Sequence, residues 1–326
     1  MHIFKNPHYN FVRWKWHAIA LSWIIILAGV LVIWKKGMPK GVEFSGGTIV
    51  IVSFDRQPDI EQVRTALDRT IPGGGANAIV QQYGDPSQKR VMIRVHSAGA
   101  EAGGSLSATA DLVTAALKQA NLGNLQVVGT EIVGPTVGEE LQTRGTLATI
   151  FALGGILVYI AIRFQFSFAV GAVVATVHDL LITLAFLAFF RYDLSLNVIA
   201  AILTITGYSM NDTIVIFDRI RENMRSMRRD NLETIINTAV NQMLDRTLIT
   251  GGLTLLSVIA LFFFGGEVLK GFAFTMIVGI ITGTYSSVFI AAAIVVIWQG
   301  RKPMKAAPAA PAATSARKPG RSARAS

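Results

Sequence analysis

The sequence contains no cysteine, few charged residues and no cluster of nucleophilic or metal-ligating side chains. The absence of cysteine among 326 residues excludes disulfides and cysteine-ligated metal sites. Charged residues make up only 15% of the chain, against about 25% in soluble domains. We find no catalytic triad, phosphate-binding loop or carboxylate pair spaced for glycan cleavage. The sequence therefore predicts neither an enzyme nor a bound metal or cofactor.

Apolar residues take the place of the missing charge. They form 52% of the chain, the mean hydropathy is +0.48, and six runs are long enough to cross a hydrocarbon core of about 30 Å. The six runs are 17–34, 146–162, 168–190, 194–217, 247–264 and 271–298. We expect the first run to be a retained span rather than a cleaved signal peptide, because no small-residue cleavage site follows it. The sequence thus predicts an α-helical polytopic membrane protein.

Lysine and arginine indicate how the chain is oriented. The net charge of +10 does not form a basic patch with interleaved aromatic residues, so nucleic acid is not predicted as a partner. Basic residues concentrate instead in 1–16, in the 218–246 loop and in the tail 300–326, which places both termini in the cytoplasm. The amphipathic piece 232–243 predicts a helix along the membrane surface. The tail is predicted to be disordered and attracted to anionic lipid.

The stretch 41–140 is polar and glycine-rich, and we predict it to be a small domain outside the membrane. Its pattern predicts strands at 48–54, 77–82, 90–96 and 125–133 and helices at 59–69 and 107–120. This β-α-β-β-α-β order is that of the ferredoxin-like fold. In the third predicted strand, valine and isoleucine alternate with Met92 and Arg94. The face that carries Met92 and Arg94 is therefore predicted to be exposed to solvent.

Two carboxylates lie well inside apolar runs, where each costs about 2.5–3.5 kcal/mol on insertion scales. Asp179, preceded by His178, lies near the middle of its run, and Asp212 lies roughly 8 Å inside the cytoplasmic end of the next run. Arg246 opens the fifth run at a depth similar to that of Asp212. Pairing favours an ionised carboxylate and burial disfavours it, so a position between the two suits a proton relay. A permanent buried ion pair and a protonated carboxyl group bonded to a neighbouring helix remain alternatives.

Other polar and small residues accompany these carboxylates. Thr204, Tyr208 and Asn211 lie on helix faces adjoining that of Asp212, and we expect this side to face protein or water, because lipid would leave the polar groups unpaired. His178 is predicted as a supporting polar residue. Small residues mark helix contacts: the spacing of Gly279 and Gly283 is typical of close helix approach, and Gly207 is a third candidate packing position.

Five short stretches, taken in order and spacing, resemble the SecF members of the SecD/SecF family of protein-export membrane proteins, which belongs to the RND superfamily. They are GVEFSGG at 41–47, VHD at 177–179, GYSMNDT at 207–213, DRIRE at 218–222 and GTYSS at 283–287. The resemblance covers roughly residues 10–298. It implies half of an RND unit: six spans with a ferredoxin-like domain between the first and second.

The resemblance also implies a function. A protein of this kind is expected in the bacterial inner membrane, paired with SecD and associated with the SecYEG channel, with SecA acting indirectly and YajC or YidC as further partners. It would use the proton-motive force to promote late stages of the export of unfolded polypeptides. Proton coupling is expected at Asp212 and Arg246, with Asp179 as a further candidate and H⁺ as the coupling ion. The alternatives are a subunit for efflux of small molecules or lipids, and a passive scaffold of the translocase.

Overall fold

A computed structural model of the chain describes residues 7–70, 78–96 and 106–299. In chain order the elements are α1 (Lys15–Lys36), α2 (Val42–Ser45), β1 (Gly47–Phe54), α3 (Ile60–Thr70), β2 (Ala78–Gln82), β3 (Arg90–His96), α4 (Leu106–Gln119), β4 (Leu125–Val133), α5 (Pro135–Arg163), α6 (Phe166–Phe190), α7 (Leu196–Ser226), α8 (Leu232–Phe264), α9 (Glu267–Ser286), a π-helical turn (Ser287–Ala291) and α10 (Ala292–Gln299). The predicted tail, the start of the N-terminal segment and Asn77 of the second predicted strand lie outside the described residues.

Six helical stretches within the described part of the chain are long and apolar enough to cross a membrane. They are α1, α5, α6, α7, α8 and the continuous rod formed by α9, the π-helical turn and α10. The rod is the most enclosed of the six, because 67% of its most apolar segment is buried inside the protein. In α5, only 6% of the corresponding segment is buried. The bundle therefore packs around α9, and α5 turns most of its apolar surface outward. The predicted class, a six-span helical membrane protein, is confirmed.

Helix α8 differs from the prediction of a separate helix lying along the membrane surface. It begins at Leu232 and runs without a break to Phe264, because its first glycine is Gly251 and it contains no proline. Asn231 caps its start by accepting a hydrogen bond from the Thr234 N–H, at 2.7 Å. The amphipathic piece is thus the first part of the fifth span, and it extends that span beyond the apolar run.

The extension of α8 packs against a matching extension of α7. Arg219 Nε and Asn223 Nδ2 of α7 both donate to Oε1 of Gln242, at 2.6 and 3.0 Å. The α7–α8 connection is therefore a helical hairpin rather than a loop. The polar faces of α7 and α8 contact each other in this hairpin, whereas the sequence predicted that the polar helix 232–243 would lie along the membrane surface.

The small domain between α1 and α5 has the predicted β-α-β-β-α-β order. Its four strands are ordered β2-β3-β1-β4, and all neighbouring pairs are antiparallel. One face of the sheet packs against α3 and α4. The core between them is formed by Val50, Val52, Val63, Leu67, Val91, Ile93, Val113 and Leu117. This arrangement confirms the ferredoxin-like prediction.

The opposite face of the sheet corrects a prediction, because its centre is not exposed to solvent. Met92 is 7% exposed and Arg94 only 4%. Met92 packs with Val42 of α2, and Arg94 donates from Nη2 to Oδ2 of Asp193, in the turn between α6 and α7, at 2.6 Å. The side chains of the strand alternate as predicted, but α2 and the turn between α6 and α7 cover its second face, and no local sequence pattern indicates that cover.

Close approach of α7 and α9 depends on glycine. A Cβ atom added at Gly279 would lie 2.7 and 2.8 Å from Cγ2 and Cβ of Ile205, and one at Gly283 would lie 2.8 Å from Cβ of Ser209. These distances are shorter than van der Waals contact, so α7 and α9 pack as closely as they do only because both positions lack a side chain. Gly207 behaves differently: nothing in the described chain lies within 4 Å of a Cβ built there.

Candidate functional site

Asp179 lies on α6 and is 5% exposed. Its Oδ2 accepts hydrogen bonds from Ser209 Oγ of α7 at 2.5 Å and from Ser286 Oγ of α9 at 2.8 Å. Its Oδ1 lies 2.9 Å from Nδ1 of His178. No lysine or arginine of the described residues pairs with it. The carboxylate is thus fully hydrogen-bonded, and it joins three helices through hydroxyl groups rather than through a cation.

His178 extends this cluster to α1. Its Nε2 lies 2.8 Å from Ser22 Oγ, and Tyr285 OH donates to the Ala18 carbonyl of α1 at 2.8 Å. If Asp179 is ionised and His178 neutral, Nδ1–H donates to the carboxylate and Nε2 accepts from Ser22. If the pair holds one more proton, Nε2–H donates to Ser22 instead. In both arrangements Ser22 Oγ keeps its bond to Nε2, as donor in the first and as acceptor in the second.

Asp212 has a different environment. It lies on α7 and is half-buried. Its Oδ1 accepts a hydrogen bond from Thr247 Oγ1 of α8 at 2.7 Å, whereas its Oδ2 is buried without a hydrogen-bond partner among the described residues. A buried acceptor without a donor is costly and uncommon. Among the described residues, Oδ2 is therefore the one carboxylate oxygen of the two clusters without a hydrogen-bond donor.

Arg246 does not form the direct pair with Asp212 that its depth in the sequence suggested. It is exposed, and no ion pair within 4.0 Å joins the two side chains in the described structure. The reason is helical geometry. Thr247 points toward α7, and the residue before it is rotated by about 100° around the helix axis. Arg246 stands beside the site, near enough to act on Asp212 electrostatically.

The two carboxylate clusters meet at the beginning of the π-helical turn. Ser286 bonds to Asp179, and the next residue, Ser287, lies 2.8 Å from Oγ1 of Thr213, the neighbour of Asp212. Ser287 also donates to the Gly283 carbonyl at 2.9 Å. π-helical turns within α-helices are rare and frequently occur at functional sites. Here the turn places consecutive serines against two different helices.

The remaining predicted polar residues divide between two surfaces. Tyr208 is half-buried and packs toward α8, with its hydroxyl group beside Gly251. Thr204 and Asn211 are exposed on the outer surface of α7, as is Gly207. Thr204 satisfies its hydroxyl group on the Ala200 carbonyl of its own helix, at 2.7 Å. The structure therefore separates an inner polar side from an outer one, where the sequence suggested a single polar side.

Sequence reasoning missed most of the hydroxyl groups that complete these clusters. The missed residues are Ser22, Ser209, Thr213 and Thr247. Two signals pointed to some of them: Ser209 precedes Asp212 by one turn, and Thr247 directly follows Arg246. Ser286 and Ser287 are different, because they close the GTYSS stretch, which the sequence predicts as a source of hydrogen bonds between helices. Nothing in the sequence pointed to Ser22, because an isolated serine in the first span bears no visible relation to α6.

Residues 112–301 match the family model described as "Protein export membrane protein SecD/SecF, C-terminal". A protein translocase subunit SecF from Desulfurispirillum indicum is 40% identical, with 89% of this chain and 92% of the relative covered. The chain belongs to the SecD/SecF family. A second SecF relative, from Pseudomonas aeruginosa, is 41% identical over 89% of this chain and 90% of its own, and a third, from Koribacter versatilis, is 35% identical over 94% and 96%.

Solved SecDF structures share the fold of this SecD/SecF family member. The crystal structure of SecDF, a translocon-associated membrane protein from Thermus thermophilus, matches with a TM-score of 0.78 at 33% identity over 91% of this chain. The chain spans 39% of that SecDF chain. SecDF in a super-membrane-facing form matches with a TM-score of 0.66, also at 33% identity, over 92% of this chain and 40% of its own. The predicted family and fold are confirmed.

The protein is thus a multi-pass membrane protein of the SecD/SecF family. Its relatives carry the name of a protein translocase subunit, so protein export is favoured over the alternative of small-molecule or lipid efflux. The roles of Asp212, Arg246 and Asp179 remain predictions, now with a geometry from which to test them.

Proposed function

We propose that this protein is the SecF-type subunit of the bacterial protein translocase and that, together with SecD, it uses the proton-motive force to promote late stages of protein export through SecYEG. The observation that carries the proposal is similarity along nearly the whole length of relatives named as translocase subunits. The proposal includes an inner-membrane location, cytoplasmic termini, an indirect link to SecA, contacts with YajC or YidC, and unfolded exported polypeptides as substrates.

The outer surface of α7 supports the need for SecD. Thr204, Gly207 and Asn211 follow one another at helical spacing on an apolar span and are exposed. Polar groups are rarely left facing lipid, and small residues mark helix–helix contacts in membranes. This chain also matches only 39% of a SecDF chain. The surface therefore suits contact with a SecD helix, and half a unit is not expected to transport alone.

Proton coupling is proposed at Asp212. Its unpartnered Oδ2 can take a proton, which would remove the negative charge that acts on nearby Arg246 of α8. That change would weaken the attraction between the two helices and let one move against the other. A proton crossing about 100 mV supplies about 2.3 kcal/mol, enough to bias a two-state movement about fifty-fold. H⁺ is the proposed ion, because a carboxylate whose charged form is favoured by a nearby cation and disfavoured by burial suits a proton relay.

Asp179 is a second candidate for proton coupling because His178 can exchange a proton with it. Its complete set of hydrogen bonds also suits a second role, which is holding α6, α7 and α9 in register. The two roles make different predictions for Asp179→Asn, which keeps most of the hydrogen-bonding capacity but cannot ionise. A positioning role predicts largely retained export, and a proton-carrying role predicts loss.

The proposal is tested with Asp212→Asn and Arg246→Met in cells that carry the SecD partner. Both variants should lower the proton-dependent part of the export of a secreted reporter, measured with and without a protonophore. Asp230→Asn removes an exposed carboxylate from the α7–α8 turn and serves as the matched control. Copurification in mild detergent checks that the complex still forms. Normal export by both variants would leave the passive-scaffold reading in place and refute the proposal.

A further inference from the structure

The turn at 191–195, between α6 and α7, contacts two parts of the chain that lead to the external domain. The first is the segment that follows α1. Lys40 and Leu194 form a parallel β-bridge, in which the Gly41 N–H donates to the Leu194 carbonyl and the Leu194 N–H donates to the Pro39 carbonyl, both at 2.8 Å. The turn thus carries a short piece of sheet, although it connects two membrane helices.

The second contact is the ion pair between Asp193 and Arg94 at the centre of β3. The Nη2···Oδ2 distance is 2.6 Å, and the side chains are 5% exposed for Arg94 and 24% for Asp193. Nε and Nη1 of Arg94 are buried without partners in the described structure. An arginine left with such donors has only one strong interaction to offset its burial, and Asp193 supplies it.

The 191–195 turn is short and is held at its first residue. Arg191 ends α6 in a left-handed conformation, with φ 57°, and its Nη1 donates to the Gly37 carbonyl at 3.2 Å. Only five residues separate α6 from α7. Since α6 carries Asp179 and α7 carries Asp212, displacement of either helix along its axis must displace this turn together with the strand and segment bonded to it.

We propose that the 191–195 turn, through the Arg94–Asp193 ion pair, is the link that transmits movement between the carboxylate-bearing helices and the external domain. The inference rests on the proposed function, because it concerns what proton-driven helix movement acts upon. Arg94 and Asp193 are positioning residues: they touch neither the proton nor the exported chain. The link stays closed while the protein works, so that the external domain follows the helices.

A cavity of about 190 Å³ beside the pair is also lined by Glu43, Glu131 and Lys270. These side chains and the pair bring three carboxylates and two cations to the same space. A net negative lining does not suit an anionic ligand. The unpartnered donors of Arg94 are therefore better explained by a position at a domain junction than by a binding site for an anion.

The first experiment uses Asp193→Asn in inner-membrane vesicles that contain the complete complex. We expect the protonophore-sensitive part of reporter export to fall about tenfold, within the usual range of coupling energies, with unchanged copurification of SecD. Glu61→Gln, which breaks the exposed pair with Arg64 on α3, is the matched control and should leave export intact. Normal proton-dependent export by Asp193→Asn would overturn the inference.

A second experiment separates coupling from loss of folding. The absence of other cysteines in this chain allows Arg94→Cys/Asp193→Cys to be joined to each other by a short bifunctional thiol reagent without competition from a third thiol of the same chain. Joined protein should recover proton-dependent export relative to the same protein left unjoined, because the covalent bond replaces the ion pair. Failure to recover, or loss on joining, would show that the contact is not a closed link. If Asp212→Asn fails to impair export in the same vesicles, the proposed function fails; if it does impair export, any failure here concerns the link alone.

Discussion

The close contact between α7 and α9 gives a sharp prediction for Gly279→Ala. The added Cβ would meet three atoms of the Ile205 side chain, including Cβ at 2.8 Å. That atom is fixed to the backbone of α7, so relief requires the helices to separate rather than a side chain to rotate. Overpacking of this kind costs about 1–3 kcal/mol. With about 2–4 °C per kcal/mol for domains of 150–250 residues, the apparent Tm should fall by several degrees.

The assay is thermal unfolding of the detergent-purified protein, followed by the fluorescence of its five tryptophans at one scan rate. Gly207→Ala is the control, because nothing in the described chain lies within 4 Å of its added Cβ, and alanine is the better helix former. It should leave the apparent Tm unchanged or raise it. Ile205 is buried, so Ile205→Ala lowers the Tm by itself, but it removes the obstructing side chain. Adding Gly279→Ala to Ile205→Ala should therefore lower the Tm less than Gly279→Ala does in the unchanged chain. An unchanged Tm for Gly279→Ala, or an equal loss in both backgrounds, would refute the close packing of α7 and α9.

Two further predictions concern the polar surfaces of α7. Thr247→Val removes the hydrogen bond that Oδ1 of Asp212 accepts, and leaving that oxygen without its donor should cost about 1–3 kcal/mol; proton-dependent export and apparent Tm should both fall, while Thr247→Ser should retain them. Asn211→Leu places an apolar side chain on the exposed surface of α7 and should leave the Tm of the isolated chain unchanged, while copurification of SecD falls several-fold. Equal copurification of SecD by Asn211→Leu and the unchanged chain would remove the argument that this surface contacts SecD.

The membrane part of the fold could be predicted because its signal is local and strong. An apolar run of sufficient length has one stable form in hydrocarbon, which is a helix. The apolar runs did not predict where each helix begins or ends outside the membrane. Helix α5 begins at Pro135 and α8 at Leu232, both well before their apolar runs, since polar residues continue a helix wherever no glycine or proline ends it. For this reason, the prediction of a helix along the membrane surface at 232–243 was wrong: those residues form the first part of α8.

The carboxylates of the site were predictable, and their partners were not. Asp179 and Asp212 stand out in the sequence because a charge inside an apolar run has a known cost. Their hydrogen-bond donors are serines and threonines, which are common in membrane helices and carry no such cost. Ser22 lies 156 residues from His178 in sequence, and only the packing of α1 against α6 brings them together. Depth alone suggested Arg246 as a partner, but the direction of a side chain around a helix depends on how the helices are rotated.

The burial of Arg94 also depends on packing between distant parts of the chain, which the local sequence pattern does not show. An arginine in an alternating strand is expected on a solvated face, and the pattern of β3 is consistent with that expectation. A buried cation is stable only when an anion is held beside it. Asp193 provides that anion, and its position is fixed by the turn that joins α6 and α7. The contact that offsets the free-energy cost of burying Arg94 is therefore also one that joins the sheet to the two helices that carry Asp179 and Asp212. Without that turn, Arg94 would lack its anionic partner and its burial would be unfavourable. The second face of the sheet would then be exposed to solvent, as the alternating pattern of β3 predicts.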